Sequence, residues 1–334
     1  MNKFETKYKF SYVFMKMFKY RSKLLCDRIY YFHKAFYHYD GTPKSLAYSD
    51  LGRSALDKRI PTVELAYERY SPRSPTANNP IIFLHGLFGS KANNRTVSKQ
   101  LVNTLDRDVY CLDLRNHGDS PHNERHDYPS LAADVERFVE DHGLIDPILI
   151  GHSMGAKTAM AVCLRRPELC SMLISVDNAP VDFTAGGTGF SKFGIYIKQL
   201  KKIQDDPSLK NLKECDNILA QVESNLAVRQ FLLTNMRKSA NQYTSRVPLD
   251  ILARSLDNIS GWPFNYEISR WTRPALFIRG KQSPYIADEY LASVGLFFPN
   301  FVVKDVDAGH WLISERPKEF VSLVTNWVQT TEDR

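Results

Sequence analysis

Residues 148–160 read ILIGHSMGAKTAM, and the order of residue types in this stretch governs the reading of the rest. Its three aliphatic residues form a short apolar run of the kind a buried strand carries. Gly151, Ser153 and Gly155 then spell G-x-S-x-G, and small, helix-favouring residues follow. A strand, G-x-S-x-G and a helix in that order make a nucleophile elbow. The turn forces Ser153 into a strained backbone conformation, and Gly151 and Gly155 remove side chains that would clash around it. Such a bend lifts the hydroxyl off the end of a sheet and points the N-terminus of the next helix at it. The backbone N–H of Met154 is then aimed where an oxyanion would develop.

The flanking sequence supplies the sheet. Short apolar strands read in IIFLHG (81–86), VYCLDLR (109–115), PILIG (147–151), MLISVDNAP (172–180), PALFIRG (274–280) and FVVKDVD (301–307). Amphipathic helices read in TVSKQLVNTL (96–105), SLAADVERFVEDHG (130–143), SMGAKTAMAVCLRRP (153–167) and PKEFVSLVTNWVQ (317–329). Strands joined by crossover helices imply an α/β fold with a doubly wound, mostly parallel sheet. Between Val181 and Arg270 the rhythm breaks, with helical patterns such as FGIYIKQLKKIQ and no convincing strand. That segment, 181–270, reads as a helical cap inserted into a core of residues 45–180 and 271–334; helices covering one face of the sheet are the alternative.

A serine hydroxyl needs a base. His310, in AGHWL (308–312), follows the last strand and is the candidate. A carboxylate must in turn fix the imidazole tautomer. Its usual place, after PALFIRG, holds GKQSPYI (280–286) with no acid before Asp288. Asp177 ends the preceding strand in SVDNAPV (175–181) and is the preferred acid, with Asp288 and Asp307 as competitors. The glycine-rich turn HGLFGS (85–90) is placed to give a second oxyanion donor, the N–H of Leu87. In DLRNHGDS (113–120), Arg115, Asn116 and His117 either brace neighbouring loops, the preferred reading, or shape the pocket. No metal-ligand spacing or resident cofactor is read.

Composition narrows the classes. The 334 residues carry a net charge of +7, and residues 1–44 hold ten Lys/Arg against three acids, which accounts for all of it. The remainder is balanced, so a nucleic-acid footprint on the folded body is not expected. No apolar run approaches the roughly 20 residues a spanning helix needs. The aromatic-rich basic arm, residues 1–44, has the composition of a mitochondrial presequence; an arm with no address function is the alternative. The five cysteines, Cys26, Cys111, Cys163, Cys170 and Cys215, are odd in number and without C-x-x-C, as free buried thiols would be.

Together HGLFGS, DLRNHGDS, GHSMGAKTAM, SVDNAPV and GHW resemble the α/β-hydrolases over about residues 60–330. Within them the set is similar to the mitochondrial abhydrolase group of fungi and animals, which includes the yeast ethanol acetyltransferases. That group places its acid after the earlier strand, which agrees with Asp177. The chain departs from the group at Ala156, often glycine there, and at Pro263, often arginine. The resemblance implies a mitochondrial enzyme that moves acetyl from acetyl-CoA to Ser153 and on to ethanol, giving ethyl acetate. With water as acceptor the same acyl-enzyme is a thioesterase or carboxylesterase. The expected partners are small molecules, acetyl-CoA, ethanol and short esters. No phosphate loop is present for a CoA pyrophosphate, which leaves Lys157, Arg115 and cap lysines as candidate cations.

Overall fold

The apolar runs become strands buried on both faces. In a computed structural model that describes residues 52–184, 190–240 and 242–333, the strands are β1 (Tyr67–Tyr70), β2 (Ile81–Leu84), β3 (Val109–Leu112), β4 (Ile148–His152), β5 (Met172–Val176), β6 (Met236–Ser239), β7 (Gln242–Ser245), β8 (Ala275–Gly280) and β9 (Phe301–Val306). The basic arm, with the targeting role expected of it, lies outside the described residues. Seven strands form one sheet in the order β1-β3-β2-β4-β5-β8-β9, parallel except for the edge strand β1.

Alternate side chains explain why both faces are apolar. Ile81, Phe83, Cys111, Ile148 and Ile150 pack with α1 (Arg95–Leu105) and the C-terminal helix. Ile82, Leu84, Leu112 and Leu149 pack with α2 (Tyr128–Asp141) and α3 (Met154–Arg165) on the other face. Helix α2 starts two residues before its apolar pattern, because Asp127 caps it by accepting from Ser130 N at 2.8 Å. The four described cysteines are buried and free.

The insertion between β5 and β8 holds α4 (Phe190–Asp205), α5 (Leu212–Ala220), α6 (Leu226–Leu233), α7 (Leu249–Arg254) and α8 (Leu256–Ser260). It also holds a two-stranded hairpin of β6 and β7, which corrects the reading of a segment without strands. MRKS and QYTS bury one side chain each, Met236 and Tyr243, so neither shows the alternation that marks a strand. After β8 come α9 (Leu291–Phe297), α10 (Leu312–Glu315) and α11 (Pro317–Glu332).

Lys157 ties the insertion to the core. From the second turn of α3 its Nζ, fully buried, donates to the carbonyls of Val181 (2.8 Å), Ser260 (3.1 Å) and Gly261 (3.0 Å). It also sits over the rings of Phe183, Tyr128 and Trp262. Burial pulls its pKa down to about 7, against which the carbonyls and ring faces favour the charge. One side chain thus fastens both ends of the insertion to α3.

The chain leaves β2 for β3 on one side and crosses back to β4 on the other. Their carboxyl ends therefore flank the switch point, where open α/β sheets place their ligand crevice.

Candidate active site

At that crevice β4 runs into α3 through Ser153, whose φ of 55° and ψ of −116° lie far from ordinary serine conformations. The two glycines allow it by close approach. A Cβ on Gly151 would stand 2.1 Å from the Gly155 carbonyl oxygen, and one on Gly155 would stand 2.4 Å from that of Leu84. The bend is held from β5 as well: Ser153 N donates to Val176 O (3.0 Å) and Asn178 Nδ2 donates to Ser153 O (3.0 Å). Asn178 carried no signal in the sequence beyond following Asp177.

His310, Asp177 and Ser153 come together. His310 Nδ1 is 2.6 Å from Asp177 Oδ2, and Nε2 is 3.0 Å from Ser153 Oγ. A carboxylate only accepts, so Nδ1 carries the proton, and Nε2 is left as acceptor for the serine hydroxyl. Asp177 is fully buried with φ of 53°. Its Oδ1 accepts from Gly280 N at 3.1 Å, and its Oδ2 accepts from the Ser283 hydroxyl as well as from His310. The competing acids stand elsewhere. Asp288 pairs with Arg279 and is 84% exposed, and Asp307 accepts from Gln282 at 3.4 Å.

Three neutral imidazoles brace His310 and the opposite loop. His152 Nε2–H donates to the His310 carbonyl at 2.8 Å, and burial lowers its pKa to about 4. His85 accepts from Leu114 N at Nε2 (3.0 Å) and donates from Nδ1 to Gly86 O (2.8 Å). His117 donates from Nδ1 to Arg115 O (3.0 Å) and accepts the Phe88 N–H at Nε2 (3.2 Å). Burial pushes both His85 and His117 down from the ordinary histidine range.

These bonds leave the Leu87 amide free in its loop, as they do that of Gly86. The Phe88 amide is taken by His117 and the Gly89 amide by Gly86 O (2.9 Å). Among the described residues the Leu87 and Met154 amides find no acceptor. The first is in a turn, and the second opens α3, where an N–H has no partner within the helix. Gly86 seats this loop beside the elbow, since a Cβ there would lie 3.2 Å from Ser153 Cβ.

In DLRNHGDS the bracing reading holds. Arg115 is fully buried and bonds Asp134 through Nε (2.6 Å) and Nη2 (2.7 Å). Asn116 accepts from Asn123 N (2.8 Å). Neither Arg115 nor Lys157 is free to meet a pyrophosphate, which withdraws both from that role. Asp113, unremarked in the sequence, accepts from Lys91 N (2.6 Å) and Asp119 N (2.8 Å) and holds the two loops together.

Ser153 and His310 open into a cavity of about 510 Å³. Its apolar lining includes Leu87, Val97, Val228, Phe231, Trp311 and Ile313. Phe231 of α6 meets Trp311 edge-on at 4.7 Å, so the insertion forms one wall. No cluster of His, Cys, Asp or Glu among the described residues has the geometry of a metal site.

Residues 79–317 match the family described as the alpha/beta hydrolase fold. The chain belongs to the α/β-hydrolase family. This α/β-hydrolase is 41% identical over 310 residues to a Saccharomyces cerevisiae protein named probable alcohol acetyltransferase, covering 86% of the chain and 89% of that relative. It is 36% identical to the Mus musculus protein named sn-1-specific diacylglycerol lipase ABHD11, over 74% of the chain and 80% of the relative. Among solved structures, one titled marine microorganism esterase superposes with a TM-score of 0.73 at 32% identity, over 79% of this chain and 99% of that one. The chain is an enzyme of the α/β-hydrolase superfamily.

Proposed function

We propose that Ser153, His310 and Asp177 are a catalytic triad that transfers acyl groups through an acyl-serine, and that the enzyme is an acetyl-CoA:ethanol O-acetyltransferase with thioesterase and esterase side activities. The observation that carries this reading is the unbroken hydrogen-bonded chain Asp177–His310–Ser153 at the mouth of an apolar cavity. Ser153 Oγ attacks the thioester carbonyl as its proton passes to His310 Nε2. The Leu87 and Met154 amides receive the oxyanion, and preorganised donors of this kind are worth roughly 10²–10³ each in turnover. The tetrahedral adduct collapses, the C–S bond breaks, and His310 returns the proton to the departing thiolate. Ethanol then attacks the acyl-serine while His310 takes its proton, and that proton ends on Ser153 Oγ as ethyl acetate leaves.

Water at the same step gives acetate. Net synthesis therefore depends on the apolar walls lowering water activity around the acyl-enzyme. The kinship with a protein named as an alcohol acetyltransferase supports the alcohol as acceptor. The basic, aromatic-rich arm fits a mitochondrial enzyme. Cavity volume favours a second reading, a carboxylesterase or thioesterase for longer acyl chains. At about 510 Å³ the space suits a drug-sized ligand better than two two-carbon groups.

The test is gas chromatography of the products from acetyl-CoA with and without ethanol. Ethyl acetate that scales with added ethanol is the expected result. CoA release with acetate as sole product, whatever the ethanol, overturns the transferase and leaves the hydrolase. Ser153→Ala and His310→Ala are each expected to abolish product in folded protein.

A further inference from the structure

We infer that Ser283 is a positioning residue that holds the displaced acid Asp177 against His310, a role that rests on the triad proposed above. Ser283 occupies the turn after β8, the place where a carboxylate was expected and none was found. The turn closes by Ser283 N donating to Gly280 O at 2.9 Å, and this folds the side chain back toward β5. There the Ser283 hydroxyl donates to Asp177 Oδ2, the same oxygen that accepts the His310 Nδ1 proton. A second contact orients the hydroxyl: its oxygen accepts from Tyr285 N at 3.4 Å, which leaves the O–H for the carboxylate. Ser283 does not line the substrate cavity, so any effect it has on the reaction passes through Asp177.

The need for such a residue follows from where the acid starts. Asp177 reaches His310 from β5, one strand earlier than usual, and it is fully buried, where a charged group must be well hydrogen-bonded. Gly280 N–H fixes Oδ1 at 3.1 Å. Without Ser283, Oδ2 would have His310 as its one donor, and Gly280 N–H would be the only bond left to hold the carboxylate apart from the one to the base itself. The hydroxyl also disperses the negative charge facing the imidazole. Hydrogen bonds to the ionised form of an acid favour that form, which keeps the shared proton on His310 Nδ1. Ser283 thus does from the β8 turn, as a donor, part of the work a carboxylate there would do as an acceptor.

The experiment measures the rate at which a fluorophosphonate labels Ser153 in the full-length protein, a readout that needs no assigned substrate. Ser283→Ala is expected to label about tenfold more slowly than wild type, the scale of one hydrogen bond to a charged group. Ser283→Thr keeps the hydroxyl and should restore the rate. A folded Ser283→Ala that labels at the wild-type rate overturns the inference. Should Ser283→Ala not fold, the Asp177→Asn background decides. Adding Ser283→Asp there supplies a carboxylate from the β8 turn and should raise labelling at least tenfold, and no gain overturns the inference. Failure of the triad itself looks different: wild type would not label at Ser153, or would label equally after His310→Ala.

Discussion

β5 and β8 lie side by side, and their carboxyl ends do different things for the same histidine. The end of β5 supplies charge: Asp177 turns its carboxylate to His310, and Asn178 pins the carbonyl of Ser153. The end of β8 carries no acid before Asp288 and supplies donors and a seat. Gly280 N–H and the Ser283 hydroxyl go to Asp177, while Lys281 N and Gln282 N go to Val306 O (2.9 Å) and Ala308 O (3.0 Å) just ahead of His310. The absent acid is therefore not a gap in the site. The negative charge has moved one strand over, and the vacated turn grips it and the histidine loop together.

The largest effect should come from removing that charge. Asp177→Asn keeps the size of the side chain but lets an amide hydrogen face Nδ1, which favours the wrong imidazole tautomer. Turnover is expected to fall on the order of 10⁴-fold, as in other triads. Steady-state hydrolysis of a short activated ester reads it. A fall of less than about tenfold would break the division of labour drawn here.

Much of this was legible in the residues. IIFL, ILI and MLISV announced a parallel sheet because they are apolar at every position but Ser175, and the elbow, His310 and Asp177 stood at strand ends where chemistry is expected. What could not be read depends on packing across the chain. Ser283 is a common residue in a polar turn, and only the fold sets its hydroxyl against Asp177. Lys157 reads as a candidate cation for a pyrophosphate, yet three carbonyls from both ends of the insertion enclose it. The β6–β7 hairpin is too polar to show a pattern.

A second test turns from the imidazole that does the chemistry to those that must stay neutral. His152 and His126 are buried as neutral groups, with pKa values lowered to about 4 and about 3 by burial. In the unfolded chain both bind a proton near pH 6.5. Between those values the unfolded state binds more protons, so stability is full above about pH 6.5 and falls as the pH drops toward the folded values. At pH 5 the loss is about 2 kcal/mol for each of the two. Urea midpoints should drop steadily from pH 7.5 to 5, and His126→Gln should flatten the slope. A midpoint independent of pH would show that these histidines are not held neutral.

A third test presses on the seat. A methyl at Gly280 would stand 2.4 Å from the Gly309 carbonyl oxygen, next to His310. Backbone cannot yield as a flexible side chain can, so Gly280→Ala is expected to destabilise by about 1–3 kcal/mol. It should also lower kcat with little change in KM, since the shifted group is the base and not a wall of the cavity. Thermal melting and steady-state kinetics on one preparation read both. Wild-type values in both would mean that β8 does not seat the histidine loop.

The smallest effect should come from the acid that the β8 side does own. Asp288 has a nearby guanidinium, yet it sits 84% exposed, and Arg279 also binds Asp305 through Nε at 2.7 Å and Nη2 at 3.1 Å. Removing its charge leaves Arg279 a partner and leaves His310 untouched. Asp288→Asn should therefore change stability by no more than about 0.5 kcal/mol, the usual worth of an exposed pair, with ester turnover unchanged. The value of so mild a variant lies in its pairing with Asp177→Asn. If turnover instead collapsed at Asp288→Asn and survived at Asp177→Asn, the charge would belong to the β8 side, and the contrast between the two strand ends would be reversed.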